Sequence, residues 1–240
     1  MLVPCFSNFY VKLQQPLNGL GPYNAYLQEH GLGVMNLQIH TADAQAVRAT
    51  LEQQGATWVL STAADPWAYV DTEDKLGWIL EPINFLLRFP PKLDPNNTLP
   101  LGARPVTRVG IAVDKLETAV TVYSKFFNIP APAITELQGI AVSGSQTRSL
   151  RVAGWTQGAG IELVESPAAG TPWSEHVRVH GWQALSLGFD VGDRLEDYQR
   201  DLLSKGGKLI FKTADGSRVY LDFRDTLGLV IELDGTPAAN

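Results

Sequence analysis

The sequence predicts an α+β fold assembled from tandem β-α-β-β-β units, and three observations carry that expectation. First, Tyr69–Glu81 recurs as Tyr220–Glu232 at an offset of 151 residues, sharing the frame Tyr-x-Asp-x-x-Asp-x-Leu-Gly-x-x-x-Glu. Second, Pro22, Tyr23, His30 and Gly31 return as Pro172, Trp173, His180 and Gly181 at an offset of 150. Two matches at nearly one offset mark copies of one module, so equivalent positions can be compared within a single chain. Third, three segments share one order of elements: an apolar or alternating run, a helix-like stretch, then short strand-like runs.

The first segment opens at Val34–His40. Asp43 is a plausible helix cap there, Ala46, Val47 and Leu51 share one helical face, and Gly55 ends the helix. Strands are expected at Trp58–Ser61, Ala68–Asp71 and Trp78–Ile83. The second segment opens at Val106–Val113. Its helix spans Leu116–Phe127, with Leu116, Ala119, Val120, Tyr123 and Phe127 at spacings of three and four. Strands follow at Gly139–Ser143, Ser149–Ala153 and Gly160–Glu165. The third opens at Ala184–Val191, carries a helix over Leu195–Ser204 stopped by Gly206-Gly207, and ends in strands at Lys208–Lys212, Arg218–Asp222 and Leu229–Leu233. An additional strand-like run, Asn8–Gln14, matches Ala159–Val164. The proline-rich run Phe89–Pro100 can continue neither a helix nor a central strand. The expected organisation is an incomplete module over 1–88, a linker over 89–104 and a complete module over 105–235.

Composition narrows the function classes. The 240 residues are 45% apolar and 18% charged, which suits a globular chain, and the net charge is −6. No basic run suggests nucleic acid, and no stretch reaches the roughly 18 apolar residues of a membrane helix. Met1–Ser7 has no basic n-region or long apolar core, so no signal peptide is expected. Cys5 is the only cysteine. It excludes an intrachain disulfide, fits a reducing cytoplasm, and is poorly placed as a nucleophile.

Arg108-Val-Gly-Ile-Ala-Val113, Gly160-Ile-Glu-Leu-Val-Glu165, Gly188-Phe-Asp-Val191 and Gly228-Leu-Val-Ile-Glu232 together resemble the vicinal oxygen chelate (glyoxalase, bleomycin-resistance and dioxygenase) superfamily. The stretch from Pro16 to Asn36 is similar to methylmalonyl-CoA epimerases within it. The resemblance implies paired βαβββ units forming a curved, cup-shaped mixed sheet, with a divalent metal held by His, Glu or Gln from the first and last strands of each unit. It places those positions on Arg108, Glu162, Ser186 and Glu232 in the second module. In the first module it places them on Lys12, Asn36 and Glu81. Both histidines are replaced. Arg108 stays protonated and cannot ligate a cation, so no metal cofactor is expected.

Charge therefore stands in for charge: Arg108 neutralises Glu162 and Glu232, which would otherwise repel one another in a poorly solvated cup, and Lys12 does the same for Glu81. Two readings stay open. One is a structural salt bridge in a dead site. In the other, Arg108 holds a substrate carboxylate or enolate oxygen while Glu162 or Glu232 moves a proton, with Ser186, Lys12, Asn36 and Glu81 as ligand-binding residues. The resemblance implies a small organic ligand of the acyl or hydroxy-acid type, with epimerase or lyase chemistry or, alternatively, non-catalytic sequestration. His30 and His180 read as turn or packing residues, His40 as a strand-end surface residue and His176 as a solvated loop residue. The six tryptophans (58, 67, 78, 155, 173, 182) are expected in cores and module contacts, some lining the cup. Because the first module lacks its front unit, either a second chain completes it as a homodimer, or the unit beginning at Val34 packs on the others within the chain; a start placed too late would also account for the missing unit.

Overall fold

A computed structural model describes residues 15–16, 21–41, 43–61, 68–83, 101, 104, 106–155 and 160–236. Cys5, Lys12, the Asn8–Gln14 run, Trp67 and most of the linker lie outside the described residues, and so does the side chain of His40.

The first unit is preceded by a helix, α1 (Pro22–His30), and contains β1 (Asn36–His40), α2 (Ala44–Gln53), β2 (Thr57–Ser61), β3 (Ala68–Asp71), the one-turn α3 (Glu73–Leu76) and β4 (Ile79–Ile83). Asp43 caps α2 through the amide of Ala46, as its position before an amphipathic run predicts. Its sheet runs β1-β4-β3-β2, with β1 and β4 parallel. The second unit comprises β5 (Val106–Ala112), α4 (Leu116–Phe127), β6 (Thr135–Gln138), β7 (Ser149–Trp155) and β8 (Gly160–Glu165). After α5 (Pro172–His180) comes the third: β9 (Gln183–Gly192), α6 (Leu195–Ser204), β10 (Lys208–Lys212), β11 (Arg218–Asp222), the one-turn α7 (Arg224–Leu227) and β12 (Val230–Gly235). These two units share one eight-stranded sheet, β10-β11-β12-β9-β5-β8-β7-β6. The strand expected at Gly139–Ser143 lies earlier, at β6, and Gly139 makes only an isolated bridge to Thr213. The helices α1 and α5 were not anticipated, although Pro22 and Pro172 at their first turns are the usual sequence mark of a helix start.

Alternation along the strands sorts the side chains onto two faces. Val109, Ile111, Leu163, Val219, Leu221, Ile231 and Leu233 join α4 and α6 in the larger core. Ala112, Val164, Tyr220 and Val230 face the other way and pack with Trp173 of α5 and with Phe211. Trp173 lies edge-on to both Tyr220 (5.3 Å) and Phe211 (6.5 Å). The concave side of the sheet is thus largely filled by its own aromatic core.

The first unit packs against the second and third through contacts that repeat at the internal offset. Gly77 lies against the backbone of Trp182, and its counterpart Gly228 lies against the backbone of Leu32 and Gly33. Trp78 donates from Nε1 to the Tyr123 hydroxyl at 2.9 Å, and the Tyr26 hydroxyl accepts from Gln183 at 2.6 Å. This is the intrachain packing that the sequence left open as one alternative. Gly77 and Gly228 have φ of 77° and 70°, and a Cβ on either would collide with the facing backbone. Alanine at either position is therefore expected to cost about 2 kcal/mol or more. Thermal denaturation of the two variants checks this, and a melting point unchanged in both would contradict the packing.

Candidate functional site

Five strands bring one charged group together. In register, Arg108 on β5 stands opposite Gly188 on β9, Gly110 stands opposite Glu162 on β8, Glu232 on β12 opposite Tyr220 on β11, and Asp234 opposite Arg218. Residues two apart on a strand share a face, so Glu232 and Asp234 point the same way, as do Arg218 and Tyr220. The absence of a side chain at Gly188 matters here, because a Cβ would strike the aliphatic stem of Arg108. That clearance lets the arginine lie flat across β9 to reach β12.

Arg108 donates from Nε to Glu232 Oε1 at 2.7 Å, lies 3.5 Å from Glu162 Oε1, and pairs through Nη2 with Asp234 Oδ2. Arg218 approaches the same acids from the other side. Its Nη1 reaches both oxygens of Glu162 at 3.0 and 3.2 Å, and its Nε reaches Asp234 Oδ1 at 2.7 Å and Glu232 Oε1 at 3.3 Å. The Tyr220 hydroxyl accepts from Arg218 at 3.3 Å. Two cations thus face three carboxylates. Glu232 is fully buried, whereas the Asp234 side chain is 26% exposed and forms the outer wall of the cluster. Burial and the neighbouring Glu232 push the Glu162 pKa up, against the opposing pull of Arg218 and Arg108. Three buried polar atoms of the cluster, Glu232 Oε2, Ser186 Oγ and Arg108 Nη2, make no hydrogen bond among the described residues, although Arg108 Nη2 is ion-paired with Asp234.

Arg108, Glu162 and Glu232 are therefore brought together as the sequence predicts, with Ser186 buried beside them over Gly110. Asn36 and Glu81 are not part of this cluster. They sit on the other sheet, where the Asn36 amide donates to Glu81 Oε2 at 2.7 Å. Lys12 lies outside the described residues. Arg218, Tyr220 and Asp234 were missed. The signal was present in the strand alternation Arg218-x-Tyr220-x-Asp222 and Glu232-x-Asp234, which puts more charge on one face than a buried strand normally carries.

The residues do not fit a divalent metal in the position the resemblance implies. Guanidinium nitrogens occupy the space between the carboxylates and use oxygens that a cation would need. No group of three or more His, Cys, Asp or Glu side chains is arranged to hold a metal ion among the described residues.

A second polar cluster lies where the units meet. His176, expected in a solvated loop, is on α5 and is 8% exposed. It sits four residues from His180, and their rings are 4.7 Å apart. The His180 ring is in turn 6.0 Å from that of His30, which ends α1 and whose Nε2 lies 3.0 Å from Glu73 Oε1. The spacing of His176 and His180 is a helical i, i+4 pair, so their proximity was legible in the sequence once α5 is recognised. Burial, followed by the neighbouring His180, depresses the His176 pKa to about 4, against an opposing hydrogen bond that the ring donates to Gln183.

Among solved structures, a triply substituted 4-hydroxymandelate synthase from Streptomyces coelicolor aligns over 93% of this chain and 76% of its own, with a TM-score of 0.60 and 18% identity. A methylmalonyl-CoA epimerase from Mycobacterium tuberculosis aligns over 55% of this chain and 87% of its own, at TM-score 0.39 and 22% identity. A fusion of a xylose isomerase-like TIM barrel with 4-hydroxyphenylpyruvate dioxygenase covers 90% of this chain and 40% of its own, at TM-score 0.49 and 15% identity. All three belong to the vicinal oxygen chelate superfamily. The first overlaps closely enough to establish the fold, which is that of the vicinal oxygen chelate proteins. No protein-family profile and no curated protein matches the sequence. No described helix is long and apolar enough to cross a membrane.

Proposed function

We propose that this protein binds a small organic acid of the acyl or hydroxy-acid type in the cup of its second module, with fixed guanidinium groups in place of a metal. The observation that carries the reading is the pair Arg108 and Arg218, held at the family's ligand position by Glu162 and Glu232. Two rigid donor forks suit a planar carboxylate. The unsatisfied Glu232 Oε2 and Ser186 Oγ suit a ligand hydroxyl, which can donate to the one and accept from the other. As an enzyme, the site would run proton abstraction beside a carbonyl. Glu162, its pKa raised, takes the C–H proton, the electron pair moves onto the carbonyl oxygen, and a guanidinium stabilises the resulting enolate.

The reading extends to organisation. Modules over 1–88 and 105–235, a cytoplasmic location suggested by the single Cys5, and a homodimer form part of it. The dimer is supported by β1, which ends its sheet among the described residues, whereas its counterpart β9 continues on to β5. Native mass spectrometry of the purified protein, paired with elemental analysis, tests these points together. The expected result is a dimer mass carrying a small acid that is lost in Arg108→Met, with no stoichiometric transition metal. Stoichiometric zinc, nickel, cobalt or iron would overturn the guanidinium reading, and a monomer mass the dimer.

A further inference from the structure

The geometry points to Asp234 as an internal occupant of the ligand's carboxylate seat, so that an incoming small acid binds by displacing it. This rests on the reading above that the paired arginines receive a carboxylate. The three acids of the cluster are not equivalent. Glu162 and Glu232 come from the interior of strands, are 8% and 0% exposed, and each contacts both guanidiniums from within the cup. They alone balance the two arginines in charge. Asp234 is the surplus anion. It sits near the end of β12, immediately before the register irregularity between Asp234 and Gly235, and its side chain is 26% exposed.

Its carboxylate bridges the two cations. One oxygen accepts from Arg218 Nε at 2.7 Å and the other pairs with Arg108 Nη2. A free carboxylate spanning both forks would take up these same two contacts. Withdrawal of Asp234 leaves outward-facing donors on both arginines while Glu162 and Glu232 keep them aligned. The position is specific to this module. Asp234 and Arg218 correspond, at the offset of 151, to Ile83 and Trp67, so the first unit has neither the seat nor its occupant. The ligand class that follows is a monocarboxylate able to reach the two guanidiniums past the partly exposed Asp234. Asp234 sets the affinity by competing with it.

Isothermal titration with benzoate and with mandelate, on the full chain, tests this. Asp234→Asn and Asp234→Ala are each expected to bind at least tenfold more tightly than the wild type, and adding Arg218→Met to either should abolish the gain. Unchanged or weaker binding in both variants overturns the proposal, as does tighter binding that survives Arg218→Met. Loss of the folded state in both variants, read by circular dichroism, also overturns it, because Asp234 would then be a structural counterion. If the wild type binds these acids and Arg108→Met does not, yet neither Asp234 variant gains, the carboxylate site stands and only the displacement fails.

Discussion

Arg218→Met is expected to lower the stability of the protein by about 3 kcal/mol, at the low end of what breaking a buried ion pair costs. The reason lies in what is left behind. Glu232 is fully buried and Glu162 nearly so, and Arg218 supplies each with a charged donor. Without it, Arg108 faces three carboxylates alone, and the repulsion between Glu162 and Glu232 is only half compensated. For a chain of this length the expected change corresponds to a fall in melting temperature of roughly 6–12 °C. Adding Glu232→Gln to the Arg218→Met background should recover a large part of the loss, since it removes the uncompensated charge. Urea denaturation measures both. A single variant within about 0.5 kcal/mol of wild type, on the scale of ordinary surface substitutions, would mean the cluster is hydrated and weakly coupled.

The second large effect is on acid stability. His176 is held neutral by burial, with a pKa near 4 against an ordinary value of 6.5, and the rings of His180 and His30 and the Arg224 guanidinium add repulsion to any proton it gains. Burial, then His30 and Arg224, lowers the pKa of His180 as well. Between these limits the unfolded chain binds a proton at His176 that the folded chain does not. Stability is therefore full above about pH 6.5 and falls as the pH drops toward 4, by about 3 kcal/mol for His176 alone. Carboxylates titrate in the lower part of this range, so the informative quantity is a difference between proteins. His176→Gln should lose less stability than wild type between pH 7 and 4.5, in melting curves recorded in parallel. Equal losses in both proteins would show that His176 is not the group being protonated.

Both effects arise from residues whose company the sequence did not show. Glu162, Glu232 and Arg108 could be assigned to one cup because the resemblance places all three at strand positions that face its interior. The helices α4 and α6 followed from apolar spacing, and the cap at Asp43 from its place before such a run. Those features are local or periodic, and a periodic pattern survives being read one residue at a time. Arg218 and Asp234 lie across a strand pair from one another, and the strand alternation that marks each as inward-facing does not show that they will be opposite.

Legible in the amino-acid sequence were the duplicated βαβββ units and the faces of their strands. Tertiary structure alone decided that a second guanidinium enters the same cluster, that Trp173, Phe211 and Tyr220 fill the cup, and that three histidines from two helices meet where the units join. The physical reason is range. Hydrogen-bond patterns and hydrophobic alternation act over a few residues and leave a mark in the sequence. The energy of a charge in a low-dielectric interior depends on every group within several ångströms, most of them distant along the chain.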